Sequence, residues 1–243
     1  MRLLVSVRSA AEVAAAARGG ADIVDAKEPA LGSLGAVSLP VLRAIAEALP
    51  AEIPLSVALG DPADPRTAAE AVTALDALPR PRREVYVKLG LAGVRDPDRA
   101  RALIGSAVAV AVGATARPRV VVVAYADHER AGVPAPGAVA QLAAEAGAYG
   151  VLIDTYSKGG GDLLSWLDLA ALRAWAAEAR ARGLLVALAG SLSGETLGRL
   201  AGVPADVVGV RGAACEGGRG GVVSEARVRA LREALDGPRA ATA

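Results

Sequence analysis

Eight short runs rich in β-branched residues recur along this chain at intervals of roughly 30 residues, each followed by an alanine-rich stretch of helical character. The runs are RLLVSV (2–7), ADIVDAK (21–27), IPLSVAL (53–59), EVYVKLG (84–90), RVVVVAY (119–125), YGVLID (149–154), LLVALAG (184–190) and DVVGVRG (206–212). Most are almost unbroken in apolar residues, the mark of strands buried on both faces, as in parallel sheets. Helix signals fall between them. Ser9 with Glu12 reads as a capping box, and Gly19-Gly20 ends that helix. Ser38 and Pro40 open the next, Asp168 caps the stretch that follows it, and Ser224 caps the last. Eight such units in 243 residues predict an α/β fold, a single (β/α)8 TIM barrel over residues 1–236, with 237–243 a disordered tail. An open doubly wound sheet is the alternative. Against it, VSVRSAAE stands where a G-x-G-x-x-G turn would follow the first strand. Phenylalanine is absent, so the core must be built from Ala, Val, Leu and Ile, and the Val/Ala stretch 107–113 reads as part of it.

Charge and side-chain usage exclude several classes of function. Basic and acidic residues number 27 and 26 and are scattered, which leaves no electrostatic case for a nucleic-acid or membrane partner. The amino terminus, MRLLVSVRSAAEV, reads as neither a signal peptide nor a membrane span. Cys215 is the sole cysteine, so no internal disulfide forms, and a reducing cytoplasm fits. His128 is the sole histidine, which argues against a zinc site of the usual N/S type. No metal or cofactor is expected. A small phosphorylated molecule is the expected partner, and a homo-oligomer is compatible with the sequence.

Lysine usage is the sharper signal. Of the 27 basic residues only Lys27, Lys88 and Lys158 are lysine; the rest are arginine. Each falls at or just beyond the end of an even-numbered predicted strand, and the stretches read as helices hold none. Alternate strands of a barrel supply the same layer of inward side chains, at the end where active sites lie, so the three could converge on one pocket. Period-2 alternation puts Asp25 on the face of Lys27, and Asp154 ends the sixth run, four residues before Lys158. An ammonium loses its proton when desolvated or set beside other cations; a guanidinium effectively does not. A neutral lysine attacks a carbonyl to form a Schiff base, or acts as a general base. The plainer alternative is three surface lysines placed by chance.

The seventh and eighth runs lead into AGSLSGE and GVRGAACEGGRGG, where small residues let backbone N–H groups approach an anion. Gly190, Ser191, Gly212 and Ala213 are the expected phosphate donors; the alternative is a pair of tight turns. His128 reads as a solvated loop residue and Cys215 as a small packed one. Asp61 and Asp127 are mouth residues without an assigned role.

In order along the chain, DIVDAKEP…GSLGA, SVALGD, VKLGL, VVVAYAD, LIDTYSKGG, ALAGSL and VGVRGAAC resemble the (5-formylfuran-3-yl)methyl phosphate synthase family over essentially the whole length. The resemblance implies a TIM-barrel lyase of methanofuran biosynthesis. It would condense two molecules of glyceraldehyde 3-phosphate, releasing one phosphate and two waters. It also implies that Lys27 is the Schiff-base residue and Lys88 the proton acceptor, with Asp25, Asp154 and Lys158 completing the site. Another Schiff-base aldolase acting on a phosphosugar, and a non-catalytic barrel that binds a phosphorylated ligand, are the competing readings.

Overall fold

Each predicted run becomes a strand, in a computed structural model that describes residues 1–78 and 84–237. The strands are β1 (Arg2–Val7), β2 (Ile23–Ala26), β3 (Leu55–Ala58), β4 (Val85–Leu89), β5 (Arg119–Tyr125), β6 (Gly150–Asp154), β7 (Leu185–Leu188) and β8 (Val207–Val210). All pair in parallel in chain order, and β8 returns to β1 to close an eight-stranded barrel. The helices are α1 (Val13–Arg18), α2 (Leu39–Ala48), α3 (Pro65–Thr73), α4 (Pro97–Gly113), α5 (His128–Ala131), α6 (Pro136–Glu145), α7 (Leu169–Ala181), α8 (Gly194–Arg199) and α9 (Glu225–Asp236). A small antiparallel hairpin, β9 (Cys215–Glu216) with β10 (Val222–Val223), decorates the loop after β8. The tail expected from residue 237 falls, from 238 on, outside the described residues. Among the described residues no helix is long and apolar enough to cross a membrane.

The strands are apolar on both faces because both are covered. Val5, Val24, Val87, Val122, Val151 and Val208 are fully buried in the layer between barrel and helices. The inner face is different. Barrel interiors are commonly filled by layers of bulky branched side chains. Here Ser6, Ser56, Ala187, Ala189 and Gly209 leave the interior partly hollow, and a cavity of about 370 Å³ runs down from the carboxyl-terminal mouth to Tyr86 and Leu185. The opposite end is plugged by polar side chains. Tyr86 Oη donates to Glu84 at 2.7 Å and accepts from Arg119 at 3.2 Å, while Arg119 also pairs with Glu84 at 2.6 Å.

Local signals succeeded unevenly. Asp168 caps α7 through the N–H of Ala171. The capping box expected at Ser9 and Glu12 does not form. Residues Ala10–Glu12 make a 3-10 turn, and the Ser9 hydroxyl caps nothing. The Glu12 carboxylate instead takes the Arg8 N–H and the guanidinium of Arg211, a buried charge that needs it more. Ser38 and Ser224 stand at helix starts without side-chain caps. The stretch 107–113 lies in α4; within it Ala107 and Ala111 are buried, Val108 and Val110 pack half-buried against the core, and Val112 is 72% exposed. Spacing of four residues puts the two alanines on the inner face of that helix, the flanking Val108 and Val110 at its edges and Val112 outside.

Candidate active site

The carboxyl ends of the even strands deliver the three lysines to one cavity. Lys27 follows β2, its N–H still bonded to Val7 O at 3.0 Å; Lys88 lies within β4; Lys158 stands four residues beyond the end of β6. All three line the cavity, together with Asp154 and with Gly190, Ser191, Gly212 and Ala213.

Two of the lysines are pinned by carboxylates. Lys88 Nζ donates to Asp25 Oδ2 at 2.7 Å, and Lys158 Nζ donates to Asp154 Oδ1 at 2.8 Å. Asp25 is enclosed between Ser6 on β1 and Ser56 on β3, its register partners. Its Oδ2 also accepts from Ser6 Oγ at 2.7 Å, and its Oδ1 is buried with no partner among the described residues. Burial alone would raise the Asp25 carboxyl, but the charges of Lys88 and Lys27 and the hydrogen bonds from Lys88 and Ser6 hold it below the usual range. Asp154 is likewise held down, by Lys158 and Lys27, against its burial.

Lys27 is the exception. It is 7% exposed, and among the described residues its ammonium makes no hydrogen bond or ion pair. Desolvation, reinforced by the charge of Lys88, lowers its pKa from 10.5 to about 7, although Asp154 and Asp25 pull the other way. A solitary amine near neutrality, close to two lysine–carboxylate pairs, can act as a nucleophile.

The rim is formed by the loops after β6, β7 and β8. Gly190 has φ +114° and Ser191 φ +52°, a left-handed conformation that few side chains adopt. A Cβ on Gly190 would lie 3.0 Å from Thr155 Cγ2, so the backbone of the loop after β7 packs directly onto that after β6. Among the described residues no protein acceptor takes the N–H of Ser191, Gly212 or Ala213. This is the arrangement an anion would occupy.

Several supporting residues had no signal in the sequence. Arg211 is 4% exposed and spends its guanidinium on Glu12, on Ser6 O at 3.0 Å, on Gly221 O at 2.7 Å and on Arg219 O at 3.2 Å. It thereby fastens the loop after β8 to β1. Tyr125, at the end of β5, meets Ser33 Oγ at 3.0 Å and donates to Asp61 at 3.3 Å, which draws the loop after β2 across the mouth. Asp61 also accepts the Ala92 N–H at 2.8 Å, and its carboxyl is raised by burial. Asp127 accepts the N–H groups of Tyr156 and Ser157 at 2.6 and 2.8 Å and so shapes the loop bearing Lys158. His128 sits on α5 outside the cavity, and Cys215 is buried with its thiol pushed up by desolvation. Among the described residues no cluster of three or more His, Cys, Asp or Glu could hold a metal ion.

Comparison with known proteins places this arrangement in context. A family model described as 4-HFC-P synthase matches residues 3–232. The (5-formylfuran-3-yl)methyl phosphate synthase of Methanothermobacter thermautotrophicus is 40% identical over 97% of this chain and 99% of its own length. The protein of the same name from Methanopyrus kandleri is 38% identical over 96% of this chain and 98% of its own. Among solved structures, a 3-hexulose-6-phosphate synthase superposes with a TM-score of 0.64 at 22% identity, covering 97% of this chain and 100% of that one. The phosphoribosyl anthranilate isomerase of Thermus thermophilus does so with a TM-score of 0.60 at 20% identity, over 97% and 98%. At that identity the likeness is one of fold.

Proposed function

The chain belongs to the 4-HFC-P synthase family, and from that premise we propose that it joins two molecules of glyceraldehyde 3-phosphate into (5-formylfuran-3-yl)methyl phosphate through a Schiff base on Lys27. One phosphate and two waters leave, and the atoms balance with no net oxidation or reduction. The observation that carries the reading is the state of Lys27, unpaired, enclosed and with a pKa of about 7, beside two lysines that are already neutralised.

In the proposed course, neutral Lys27 attacks the carbonyl of one triose phosphate, and the Lys158 ammonium protonates the departing hydroxyl, so that water leaves and an iminium remains. The resulting iminium is a fixed positive charge next to Lys88, which favours loss of the Lys88 proton. Asp25, whose Oδ2 already accepts from Lys88 Nζ at 2.7 Å, receives it. Lys88 then removes the proton from the carbon that the iminium has acidified. The enamine so formed attacks the aldehyde of the second triose phosphate, and the carbon–carbon bond closes. The Asp154–Lys158 pair, which lines the same cavity, serves the later proton transfers of phosphate elimination, ring closure and dehydration. The N–H groups of Gly190, Ser191, Gly212 and Ala213 hold a substrate phosphate at the rim. The small side chains lower in the barrel leave room for a six-carbon intermediate.

The test is reductive trapping. Incubation with glyceraldehyde 3-phosphate and borohydride, followed by peptide mapping, should place the added mass on Lys27, and mass spectrometry without borohydride should detect the furan phosphate. Lys27→Ala and Lys27→Arg should lose both signals. Labelling on Lys158 would exchange the roles of the two lysines; product without any trapped lysine would end the covalent reading.

A further inference from the structure

We propose that Arg219 is a substrate-phosphate ligand of this site, presenting its guanidinium to the same oxygens that the N–H groups of Ser191, Gly212 and Ala213 would hold. The inference rests on the proposed reading in which a phosphate enters at this rim, and it assigns a residue that neither lysine usage nor the glycine-rich motifs single out.

The charges around the cavity are unevenly matched. Five cationic side chains line it: Lys27, Lys88, Lys158, Arg211 and Arg219. Three of them are matched one to one with carboxylates: Lys88 with Asp25, Lys158 with Asp154, and Arg211 with Glu12. Among the described residues Lys27 and Arg219 have no carboxylate partner. Lys27 follows β2, and in the proposed reaction its amine is taken up by the substrate carbonyl. Arg219 stands in the glycine-rich loop, at the level of the free N–H groups. A guanidinium offers a planar fork that matches phosphate oxygens two at a time, and such charge-assisted bonds are stronger than neutral ones. The loop N–H groups supply partial charges; Arg219 adds a full one.

Its mounting supports the assignment. Only Nη2 of Arg219 is engaged, by Gly32 O at 2.6 Å and Pro29 O at 3.5 Å. Among the described residues its Nε–H and Nη1–H donors have no acceptor. Its own carbonyl is held by Arg211 Nε at 3.2 Å, so the backbone that carries it is anchored to the buried pair with Glu12. A Cβ on Gly212 would lie 3.5 Å from Arg219 N, which brings the two parts of the phosphate loop into contact. Partial burial lowers the Arg219 pKa, and the main compensating charge is the more distant Asp154. A desolvated, half-satisfied guanidinium of this kind is completed by an anion. The carbonyls that hold Nη2 belong to the loop directly after Lys27, so a phosphate on Arg219 would also steady the segment next to the nucleophile.

The experiment measures binding of inorganic phosphate to the unaltered chain, to Arg219→Gln and to Arg219→Lys, by calorimetry and by competition with glyceraldehyde 3-phosphate turnover. Arg219→Gln should weaken phosphate binding at least about tenfold, the scale of a charge-assisted hydrogen bond, and raise KM more than it lowers kcat. Arg219→Lys should fall between the two, because charge remains while the fork is lost. Borohydride trapping of unphosphorylated glyceraldehyde on Lys27 should change little, since that molecule has no phosphate to hold; a purely structural role for Arg219 would depress it as well. If Arg219→Gln does not fold, the Arg219→Lys measurements decide alone. Equal phosphate affinity in all three forms overturns the assignment and leaves the reaction standing. Failure of the unaltered chain to bind phosphate overturns the rim site together with the assignment, while the trapped Lys27 and the furan product judge the reaction separately.

Discussion

Replacing Lys27 by methionine should end catalysis and stabilise the fold. Methionine keeps an unbranched chain of similar length and removes the charge. The size of the effect follows from the depression of the Lys27 pKa from 10.5 to about 7, a net value that already includes the attraction of Asp154 and Asp25. Each pKa unit corresponds to about 1.4 kcal/mol, so keeping this lysine protonated in the folded chain costs roughly 5 kcal/mol. Below pH 7 both folded and unfolded chains carry the proton, and that cost is borne in full. Between pH 7 and 10.5 the unfolded chain still binds the proton and the folded one does not. Stability therefore rises with pH through this window, by about 1.4 kcal/mol per unit. Lys27→Met lacks the titrating group, and the pH dependence of residues remote from the site cancels in the difference. The variant should be more stable than the parent by roughly 5 kcal/mol at pH 6 and by about 2 kcal/mol at pH 9. Urea unfolding of both proteins at the two pH values, compared at equal m, measures this. A parent as stable as the variant at pH 6, or a gap that does not narrow with pH, would refute the claim that Lys27 is buried as a strained cation.

Two other substitutions probe the groups around it. Lys88→Arg keeps the cation beside Asp25 but removes a base that can titrate, so turnover of glyceraldehyde 3-phosphate should fall at least about a hundredfold while the unfolding midpoint hardly moves; near-normal turnover would mean that only charge is needed there. Glu12→Gln leaves Arg211 buried without its carboxylate, which should cost about 3–5 kcal/mol in the same urea assay; a loss below about 1 kcal/mol would show that the carbonyls of Ser6, Gly221 and Arg219 suffice.

Much of this architecture was readable because parallel strands declare themselves. RVVVVAY and RLLVSV match β5 and β1 to the residue, since strands covered on both faces need unbroken apolar runs. Other strands come out shorter than their runs, as with β7, where the flanking residues belong to turns. The meeting of Lys27, Lys88 and Lys158 was legible from strand parity alone, a purely geometric property of the barrel. Contacts distant in sequence were not. Glu12 and Arg211 are 199 positions apart, and no local pattern ties them; the nearby Ser9 suggested a helix cap that the buried guanidinium overrides. Arg219 was hidden for the same reason, being one arginine among many until its neighbours in space were known. The hollow interior depends on Ser56, Ala187 and Gly209, from three different strands, lining one cavity, which single strands do not reveal.

Closure of the barrel has a consequence during synthesis. Lys27 leaves the ribosome early, whereas β8, Arg211 and the glycine-rich loop come near the end of the chain. Until β8 docks on β1 there is no complete wall around the lysine, and contacts of such long sequence separation are slow to form. An amine still in water keeps a pKa near 10.4 and is almost wholly protonated at neutral pH. The unfinished chain is thus nearly inert toward the aldehydes of the cell, and so is any chain halted before residue 207. The step that completes the rim is thus the same step that dries Lys27 and lowers its pKa.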